Sequence, residues 1–531
     1  MRKIFTNGNI YTFNRIQPMV SSVVIENGRF IDMGDTAQML AHWKNSETEV
    51  IHLQGKTVTP GLTDSHLHLS MVADSFVNLD LTGVTTKREM LERIQEKTKE
   101  LKPGEWVLGG NWDENLFTDG SIPTITELDY VSPANPLLLF RICRHAAVVN
   151  TKALERSNYH PAITVPDGGT IVKDELTNQP TGLLLESASE IITRHVPNRT
   201  YDDWVIAMRK TIQFAIKQGL TSAHTNDPLY MGGLEQTYQI YDQLLNKEKL
   251  GLRTNLLINY DFLDEIRDAG MYAGFGNDTL QIGAIKLFAD GAFGRRTALL
   301  SEPYADDTGN YGEAMFDEEG LTDIVKRARD LGFPVAVHTI GDQALENVLD
   351  VLDKFPNVSY RDRIIHVQVL RQELIKRLAH SSRIADIQPR FLASDFPWVQ
   401  DRLGNERMKL SYAWKSLMDA GVICAGGSDA PVEPVNPILG IHAAVTRKTP
   451  GDTHDGYTPE EKLTMTEAFR FFTEFGAYPT NEETKKGTIS RGKLADMVVF
   501  SNHPFQMDDA DELLETEVEM TIIDGEIKYQ K

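Results

Sequence analysis

Apolar residues follow two different patterns along the chain, and the division between them predicts the domain organisation. Near both ends, short segments alternate apolar and polar residues around Asn-Gly or Asp-Gly pairs, which is typical of antiparallel strands joined by tight turns. These segments are residues 3–13, 22–31 and 518–529, with the pairs Asn7-Gly8, Asn27-Gly28 and Asp524-Gly525. Because both ends share this pattern, we expect residues 1–59 and 485–531 to form one small β-sandwich domain.

The region between the ends alternates continuous apolar runs with amphipathic helical patterns, as parallel βαβ units do. Strands are predicted at 220–223, 255–259, 282–288, 335–338, 363–367, 384–388 and 422–426, with helices that include 317–331, 344–354 and 371–379. A further strand at Val58–Leu69 and others nearby bring the total to about eight units, enough for a (β/α)8 TIM-like barrel over residues 60–484. A doubly wound open sheet is the alternative, but no glycine-rich phosphate loop follows the first strand.

The segment between the first strand and residue 219 has a mixed pattern. Amphipathic helices are predicted at Lys87–Leu101 and Tyr201–Gln218, and strands at Trp106–Trp112 and Pro136–Cys143. Helical periodicity and strand runs that do not repeat as regular units indicate an addition to the barrel. We therefore expect an insertion around residues 104–200 that covers one end of the larger domain.

Composition narrows the choice of partners and compartment. The 531 residues carry a net charge of −22, which disfavours nucleic acid and anionic membranes as partners. There is no apolar run of about 18 residues and no apolar leader, so neither a membrane span nor a signal peptide is expected. The two cysteines, Cys143 and Cys424, lie in apolar strand-like runs and are expected to be reduced core residues of a cytoplasmic protein.

The first candidate for chemistry is the pair His66 and His68, at the end of the predicted strand Val58–Leu69. Side chains two apart on a strand point to the same side, so the two imidazoles can converge on one metal ion such as zinc. Asp64 is close enough in sequence to support one of them. Two histidines at this spacing also occur by chance, so the pair needs further ligands to be convincing.

Further polar residues follow at the ends of other predicted strands. Lys286 lies inside an apolar strand, His338 and His366 end two more, and Asp429 follows another. In a barrel these positions meet at the carboxyl-terminal face, where active sites lie. Singly, each has a structural explanation, such as a hydrogen-bonded core histidine or a turn aspartate before Pro431. Six such residues on one face favour a metal site.

The order His-x-His, Lys, His, His, Asp resembles that of the amidohydrolase superfamily. Within it the chain resembles the YtcJ-like branch, amidohydrolase family 3, which includes N-substituted formamide deformylases, and the resemblance covers essentially the whole chain. The segments that carry it are Gly61–His68, Ile285–Gly291, His338–Asp342, Gln388–Phe391, Gly427–Pro431 and Gly492–Val499.

The resemblance implies a site with two divalent metal ions, for which a nitrogen-rich ligand set favours zinc. The implied ligands are His66, His68 and Asp429 for the more buried ion, His338 and His366 for the second, and a carboxylated Lys286 between them. Asp429 would act as the catalytic residue, taking a proton from a water that bridges the metals and passing it to the departing amine. The implied reaction is hydrolysis of a C–N amide-type bond in a small N-acyl or N-formyl amine.

Four further residues are candidates for substrate binding. His145 resembles a substrate-side histidine of the branch, although Arg144 precedes it where members commonly have glycine. Trp112 and Asp113 are candidates to line the pocket, and Arg296 to order the loop after the Lys286 strand. Packing or surface roles explain these four residues equally well.

Other functions remain open at this stage. The branch also suggests ester or cyclic-amide hydrolysis, and a metal-dependent deaminase is a weaker alternative because such enzymes usually lack a bridging lysine. A catalytically silent member of the fold would act as a binding or regulatory protein, but such a protein would be expected to lose ligands. The partner expected is a small-molecule substrate, with a homodimer as a further expectation.

Overall fold

A computed structural model describes residues 2–118, 120–143, 145–355 and 359–531. The chain separates into two compact units. The first contains Met1–Met71 and Thr211–Lys531, and the second contains Val72–Lys210. Within the described ranges, no helix has the length and apolar character needed to cross a bilayer.

Strands occur in both the terminal and the central regions of the chain. In chain order they are β1 (Arg2–Tyr11), β2 (Met19–Glu26), β3 (Arg29–Gly34), β4 (Thr48–His52), β5 (Thr57–Pro60), β6 (Leu62–Leu67), β7 (Leu79–Asp80), β8 (Val107–Trp112), β9 (Leu137–Arg141), β10 (Ala146–Val149), β11 (Thr170–Lys173), β12 (Pro180–Leu185), β13 (Leu220–Thr225), β14 (Arg253–Asn259), β15 (Leu280–Phe288), β16 (Val335–Thr339), β17 (Arg363–His366), β18 (Ile384–Ile387), β19 (Cys424–Gly426), β20 (Met497–Phe500), β21 (Val518–Ile523) and β22 (Glu526–Gln530).

Helices follow most of the central strands. They are α1 (Thr36–Trp43), α2 (Leu69–Val72), α3 (Asp74–Val77), α4 (Lys87–Glu100), α5 (Ile125–Val131), α6 (Thr151–Arg156), α7 (Glu190–Thr193), α8 (Tyr201–Lys217), α9 (Leu234–Tyr241), α10 (Leu263–Asp268), α11 (Glu318–Asp330), α12 (Asp342–Leu352), α13 (Gln372–Ala379), α14 (Phe391–Met408), α15 (Trp414–Asp419), α16 (Pro437–Thr446) and α17 (Met465–Phe471).

The first unit contains an eight-stranded parallel sheet in the order β19-β18-β17-β16-β15-β14-β13-β6. Every neighbouring pair is parallel, and the sheet curves into a nearly closed barrel. Leu257, Ala284, Ala336 and Ile365, one from each of β14 to β17, form a buried apolar cluster. The predicted barrel is therefore confirmed, and the open doubly wound sheet is excluded.

The seven predicted barrel strands after residue 219 agree with the observed ones to within two residues. Strands of parallel sheets are buried on both faces, so their sequences are nearly continuous apolar runs with sharp limits. The strand predicted at Val58–Leu69 is divided in the structure: β5 belongs to the terminal sheet and β6 to the barrel. Gly61 separates them, and a Cβ there would lie only 2.1 Å from the Thr221 hydroxyl oxygen. Only glycine therefore allows the chain to pass from one sheet to the other.

Both ends of the chain contribute to a second sheet of the first unit, in the order β22-β21-β20-β5-β1-β2-β3, with β4 parallel to β1. Its core combines N-terminal side chains such as Phe5 and Val23 with C-terminal ones such as Val499 and Ile522. The eight strands form one mixed sheet. The exact domain limits, 1–59 with 485–531 around 60–484, stay a prediction.

Two of the three predicted turns of this sheet are confirmed, and one is wrong. Asn27-Gly28 joins β2 to β3, and Asp524-Gly525 joins β21 to β22. Asn7-Gly8 instead lies inside the single strand β1, as an irregularity in its pairing with β2. The backbone of Asn7 and its neighbours bonds to the segment between β4 and β5, with Leu53 N donating to Thr6 O at 2.8 Å, so the chain continues forward.

The second unit contains a six-stranded mixed sheet in the order β11-β12-β10-β9-β8-β7. One face packs on α4 and α5 around Leu128 and Leu139, and the other packs around Leu138 and Ala153. The predicted helix at Lys87–Leu101 is α4, and the strand predicted at Pro136–Cys143 ends at Arg141.

The cysteine prediction holds for one residue and is wrong for the other. Cys424 is buried in β19, as expected. Cys143 is exposed, because β9 ends two residues before it and the apolar run continues into a surface turn.

Candidate metal centre

The six predicted ligands all lie in the first unit at the carboxyl-terminal ends of five barrel strands. His66 is near the end of β6 with His68 just beyond it, Lys286 is on β15, His338 on β16, His366 ends β17, and Asp429 follows β19. Parallel strands end at one edge of a sheet, so these positions face the same opening of the barrel.

Three residues of this set, His66, His366 and Asp429, bring their ligand atoms together. One ligand atom from each lies within 4.8 Å of the others. Asp429 Oδ1 is 3.4 Å from His66 Nε2 and 3.2 Å from His68 Nε2. Two imidazole nitrogens therefore face the same carboxylate oxygen.

Two of the ligand residues have an unusual backbone conformation. The φ angles of His366 and Asp429 are 78° and 55°, in the left-handed region that non-glycine residues rarely adopt. The backbone N–H of Asp429 donates to His66 O at 2.7 Å, which turns the chain back over β6. Such conformations concentrate at functional sites, where the surrounding contacts pay for the strain.

Lys286 is fully buried beside these residues. Its Nζ lies 3.3 Å from His66 Nε2 and 4.7 Å from the centre of the Phe288 ring. Within the described part of the chain the amine makes no ion pair with a carboxylate, and burial lowers the pKa of Lys286 to about 7. The amine is therefore a poor cation at this position.

His338 and His366 face each other, with ring centres 4.5 Å apart. His366 Nδ1 lies 2.7 Å from Gln388 Oε1, and His338 Nε2 lies 3.1 Å from Gly291 O. Because carbonyl oxygens accept hydrogen bonds, these ring nitrogens carry the protons, which leaves Nε2 of His366 and Nδ1 of His338 as ligand atoms.

The same logic fixes the tautomer of His68. Its Nδ1 donates to Asn226 O at 3.2 Å, so Nε2, the atom facing Asp429, keeps its lone pair. The amide of Asn226 in turn donates to Leu257 O and Asn259 Oδ1, both at 2.9 Å. A fixed carbonyl thus orients the ring.

The surroundings of the candidate ligands favour the protonation states in which these side chains can bind a metal ion. Burial lowers the pKa of His66 and His338 well below the ordinary value, and lowers the pKa of His366 to about 4. Burial opposes ionisation of Asp429, but its contacts with the basic groups His68, His366 and Lys286 outweigh burial, so the pKa of Asp429 lies below its usual range. Neutral imidazoles around an ionised carboxylate are the protonation states that a divalent ion requires.

Asp64, which we expected to support a histidine ring, instead bonds to a serine hydroxyl and to two backbone N–H groups. Its carboxylate accepts from Ser428 Oγ at 2.6 Å, and from the backbone N–H groups of Ser428 and His66 at 3.1 Å each. Gly427 makes this approach possible, since a Cβ there would lie 2.6 Å from His66 N. Asp64 therefore joins the segment that carries Asp429 to the strand that carries His66.

Sequence reasoning did not identify several residues that support the site. Asp290 is buried and accepts from the backbone N–H groups of Leu299, Ile340 and Gly341 at 2.8–3.0 Å, which connects the segments after β15 and β16. Burial raises the pKa of Asp290 to about 7. Its place in the segment Ile285–Gly291, next to a strand end, was the available signal.

Asn226 and Asp227 were also not identified. Asp227 Oδ1 accepts from Ser70 N at 2.9 Å, and its Oδ2 accepts from the hydroxyls of Thr225 and Tyr241 at 2.7 and 2.5 Å. The pair follows β13 as other polar residues follow their strands, so the strand-end rule could have found it.

Of the four predicted substrate residues, Arg296 lies in the first unit. Its guanidinium makes two hydrogen bonds to the Asp306 carboxylate, at 3.1 and 2.6 Å. Both residues belong to the segment after β15, so Arg296 links two parts of that segment.

The other three lie in the second unit. Trp112 has no exposed surface, and its indole N–H donates to Leu139 O at 3.0 Å, which gives it a packing role in that unit's core. Asp113 forms a 2.8 Å ion pair with Arg141. The exposed His145 contacts Glu186 Oε2 at 2.8 Å, and Arg144 lies outside the described residues. A substrate role for these three stays a prediction.

Comparison with known proteins addresses the family directly. The sequence profile of the amidohydrolase family matches residues 49–529. The chain belongs to the amidohydrolase family. It is 39% identical to YtcJ of Bacillus subtilis (strain 168), a protein assigned by name to the amidohydrolases, and the match covers 100% of both chains. The predicted resemblance to the YtcJ-like branch is confirmed.

Two further similarities extend the comparison. The N-substituted formamide deformylase of Arthrobacter pascens is 27% identical over 99% of this chain and 98% of its own. The crystal structure of an uncharacterized metal-dependent hydrolase from Pyrococcus furiosus superposes with a TM-score of 0.79 at 29% identity, over 95% of this chain and all of the other. The chain thus shares the fold of metal-dependent hydrolases.

The residues at the strand ends fit a divalent metal centre. Four imidazoles offer nitrogen lone pairs, and one ionised carboxylate lies between two of them. His68, His338 and His366 each donate a hydrogen bond from one ring nitrogen to a carbonyl oxygen, which leaves the other ring nitrogen as a ligand atom. A nitrogen-rich set of this kind suits zinc and related ions.

Proposed function

We propose that this amidohydrolase hydrolyses a C–N amide-type bond in a small N-acyl or N-formyl amine, using two divalent ions, preferably zinc. The proposed ligands are His66, His68, Asp429, His338, His366 and a carboxylated Lys286. The observation that carries the proposal is the convergence of His66, His366 and Asp429 within 4.8 Å beside a buried lysine that lacks an anionic partner in the described structure.

Lys286 is suited to carboxylation. A pKa of about 7 leaves a large fraction of the amine unprotonated at neutral pH. The free Nζ lone pair can form an N–C bond with CO2, and loss of one N–H proton gives a carbamate. The product is an anion, which replaces a poorly tolerated buried cation and supplies oxygen ligands.

The ions would polarise the substrate carbonyl and lower the pKa of the attacking water. Asp429 would accept the proton from that water on its carboxylate and deliver it to the departing amine nitrogen as the C–N bond breaks. His68, oriented by the Asn226 carbonyl, keeps Nε2 3.2 Å from Asp429 Oδ1, so the two residues would hold the same ion and the carboxylate would stay in position. Because these side chains are already held in place, little free energy is needed to orient them during the reaction.

The relatives support the choice of bond. The deformylase from Arthrobacter pascens acts, by its name, on N-substituted formamides, and its similarity extends over nearly the whole chain. N-formyl amines are therefore the first substrates to test, followed by N-acyl amines, cyclic amides and esters.

The experiment is steady-state hydrolysis of this panel by zinc-loaded protein, with elemental analysis of the same preparation. We expect about two metal ions per chain and turnover of at least one amide class, with the Asp429→Asn variant as the matched control. A protein that binds two ions but hydrolyses no amide would contradict the proposed bond, and turnover of esters alone would identify an esterase. If protein prepared with added zinc bound no metal, the whole proposal would be contradicted.

A further inference from the structure

Large apolar side chains lie exposed on segments that follow four strands of the barrel, β6, β13, β15 and β19. Met71, Leu229, Tyr230, Met315 and Val432 form this group, called here the apolar rim, and their exposed fractions range from 37% to 66%. Isolated exposed apolar residues are ordinary, but a group of them around one opening indicates a binding surface.

The backbone connects these residues to the candidate ligands. Met71 N donates to His68 O, and Val432 N donates to Asp429 O, each at 3.0 Å, so each apolar residue lies about one turn beyond a ligand. The ring centre of Tyr230 lies 6.1 Å from that of His68, edge to face. The apolar rim therefore continues directly from the metal centre.

A second connection runs through the segment after β15. Met315 N donates to Ala289 O, and Ala289 N donates to His338 O, both at 2.9 Å. Ala289 lies three residues after Lys286. Met315 is thereby fixed beside the strands that carry Lys286 and His338.

The charges near the apolar rim disfavour an anionic ligand. The segments 226–233, 311–316 and 429–436, which carry four of its five residues, contain no lysine or arginine. Their acidic residues include Asp227, which is buried in hydrogen bonds, and Glu433, whose carboxylate lies 3.3 Å from Arg390 Nε. A substrate carboxylate would find no positively charged side chain on these segments.

We propose that the apolar rim binds an uncharged apolar substituent of the amide substrate. The substrate class is therefore a neutral amide with an alkyl or aryl group, as opposed to an N-acylated amino acid or another anion. This inference rests on the proposed function for its substrate, but the surface itself can be tested by binding.

The first measurement is kcat/KM for a series of N-alkylformamides from propyl to hexyl with zinc-loaded protein. Burial of each added methylene on a half-exposed surface should raise kcat/KM about two- to threefold. Val432→Ser and Tyr230→Ala should flatten the series, whereas Tyr230→Phe should preserve it because the ring remains. Met19→Ser, at an exposed methionine of β2 in the terminal sheet, is the matched control and should leave the series unchanged.

Anionic substrates provide the opposing test. Arg295 is an exposed cation in the segment after β15 and could attract a carboxylate. The proposal is overturned if N-formyl amino acids are the better substrates and Arg295→Ala removes that preference. It is also overturned if the alkyl series is flat in the unchanged protein.

Equilibrium binding separates this inference from the proposed function. Calorimetry with the same N-alkylformamides and zinc-loaded Asp429→Asn protein should show affinity that increases with chain length and decreases in the additional Val432→Ser variant. If affinity increases with chain length but no amide is hydrolysed, the proposed role of the apolar rim is supported and the proposed reaction is contradicted. If amides are hydrolysed but neither affinity nor kcat/KM depends on chain length, the proposed reaction is supported and the proposed role of the apolar rim is contradicted.

Discussion

The two ends of the barrel both bury charged side chains, but they treat them differently. At the amino-terminal ends of the strands, Arg253 bonds to both oxygens of Asp496, at 2.7 and 2.9 Å, and to Asp524 at 2.6 Å. Lys486 pairs with Glu482 at 2.8 Å. At the carboxyl-terminal ends, Lys286 is equally buried but faces an imidazole.

This difference distinguishes structural charges from functional ones. A buried cation with an ionised partner has its desolvation cost offset by attraction, so it requires nothing more. A buried amine facing neutral nitrogen ligands is stable only if it loses its proton or gains a negative group. The ion pairs at the amino-terminal ends therefore stabilise the fold, whereas the unpaired lysine at the carboxyl-terminal ends fits the proposed metal centre. The following substitutions test this comparison in order of decreasing effect on catalysis.

The largest effect is expected at Lys286. Lys286→Ala removes the proposed bridging group, so most of the metal should be lost and kcat/KM should fall by about 10³-fold, the scale of losing a group on which the whole site depends. Elemental analysis and kinetics measure both quantities. Added acetate or propionate with zinc should restore part of the metal and activity, because a free carboxylate can replace the carbamate.

Lys486→Ala is the matched control for this change, since both lysines are buried in the same unit. It should reduce stability, by leaving Glu482 without its partner, but retain the full metal content. Normal metal content in Lys286→Ala would show that Lys286 is a structural lysine and would remove the distinction between the two ends.

Asp429→Asn should have the second largest effect. Asparagine keeps the shape but cannot shuttle a proton, so kcat should fall by about 10²-fold or more with near-normal folding and partly retained metal. Steady-state kinetics and thermal unfolding on the same variant measure this. If Asp429 were only a turn residue before Pro431, stability would fall and kcat per folded molecule would not change.

A smaller effect is expected at Gln388, which orients His366 through the 2.7 Å contact with Nδ1. Gln388→Leu removes the acceptor, so the His366 ring can rotate or change tautomer, and metal affinity should fall about tenfold or more. Metal titration against a competing chelator measures this change. Gln388→Glu retains an acceptor and should preserve affinity, whereas a purely steric role for Gln388 predicts that the Leu and Glu variants behave alike.

The barrel and the positions of the candidate ligands at its strand ends could be predicted because their signals are local. Buried parallel strands are continuous apolar runs, and a lysine or histidine interrupting such a run stands out, as Lys286 and His338 do. The supporting residues also follow strands, which marks their position but not what they do. Asn226 acts through its backbone carbonyl, and Asp290 through backbone N–H groups of its own segment and of the segment after β16, so neither role can be read from residue type.

The errors have a related cause, since each depended on distant parts of the chain. Asn7-Gly8 has the sequence of a turn but is bonded to the segment before β5. Gly61 divides a run that looks like one strand, because two different sheets compete for it. Cys143 continues an apolar run whose strand ends at Arg141. Local patterns do not contain these tertiary contacts.

The smallest effect on catalysis is expected at Arg253, the principal charge of the opposite end. Arg253→Met leaves Asp496 buried without its partner, so unfolding should require about 3–5 kcal/mol less free energy. Denaturant unfolding measures this loss. Because Arg253 begins β14 and the metal centre lies at the other ends of the strands, kcat per folded molecule and metal content should remain unchanged. The double variant Arg253→Met with Asp496→Leu should recover much of the stability, since it removes the unpaired charge as well. A loss of metal in Arg253→Met without a loss of stability would show that the two ends of the barrel are coupled, and that charge pairing does not separate their roles.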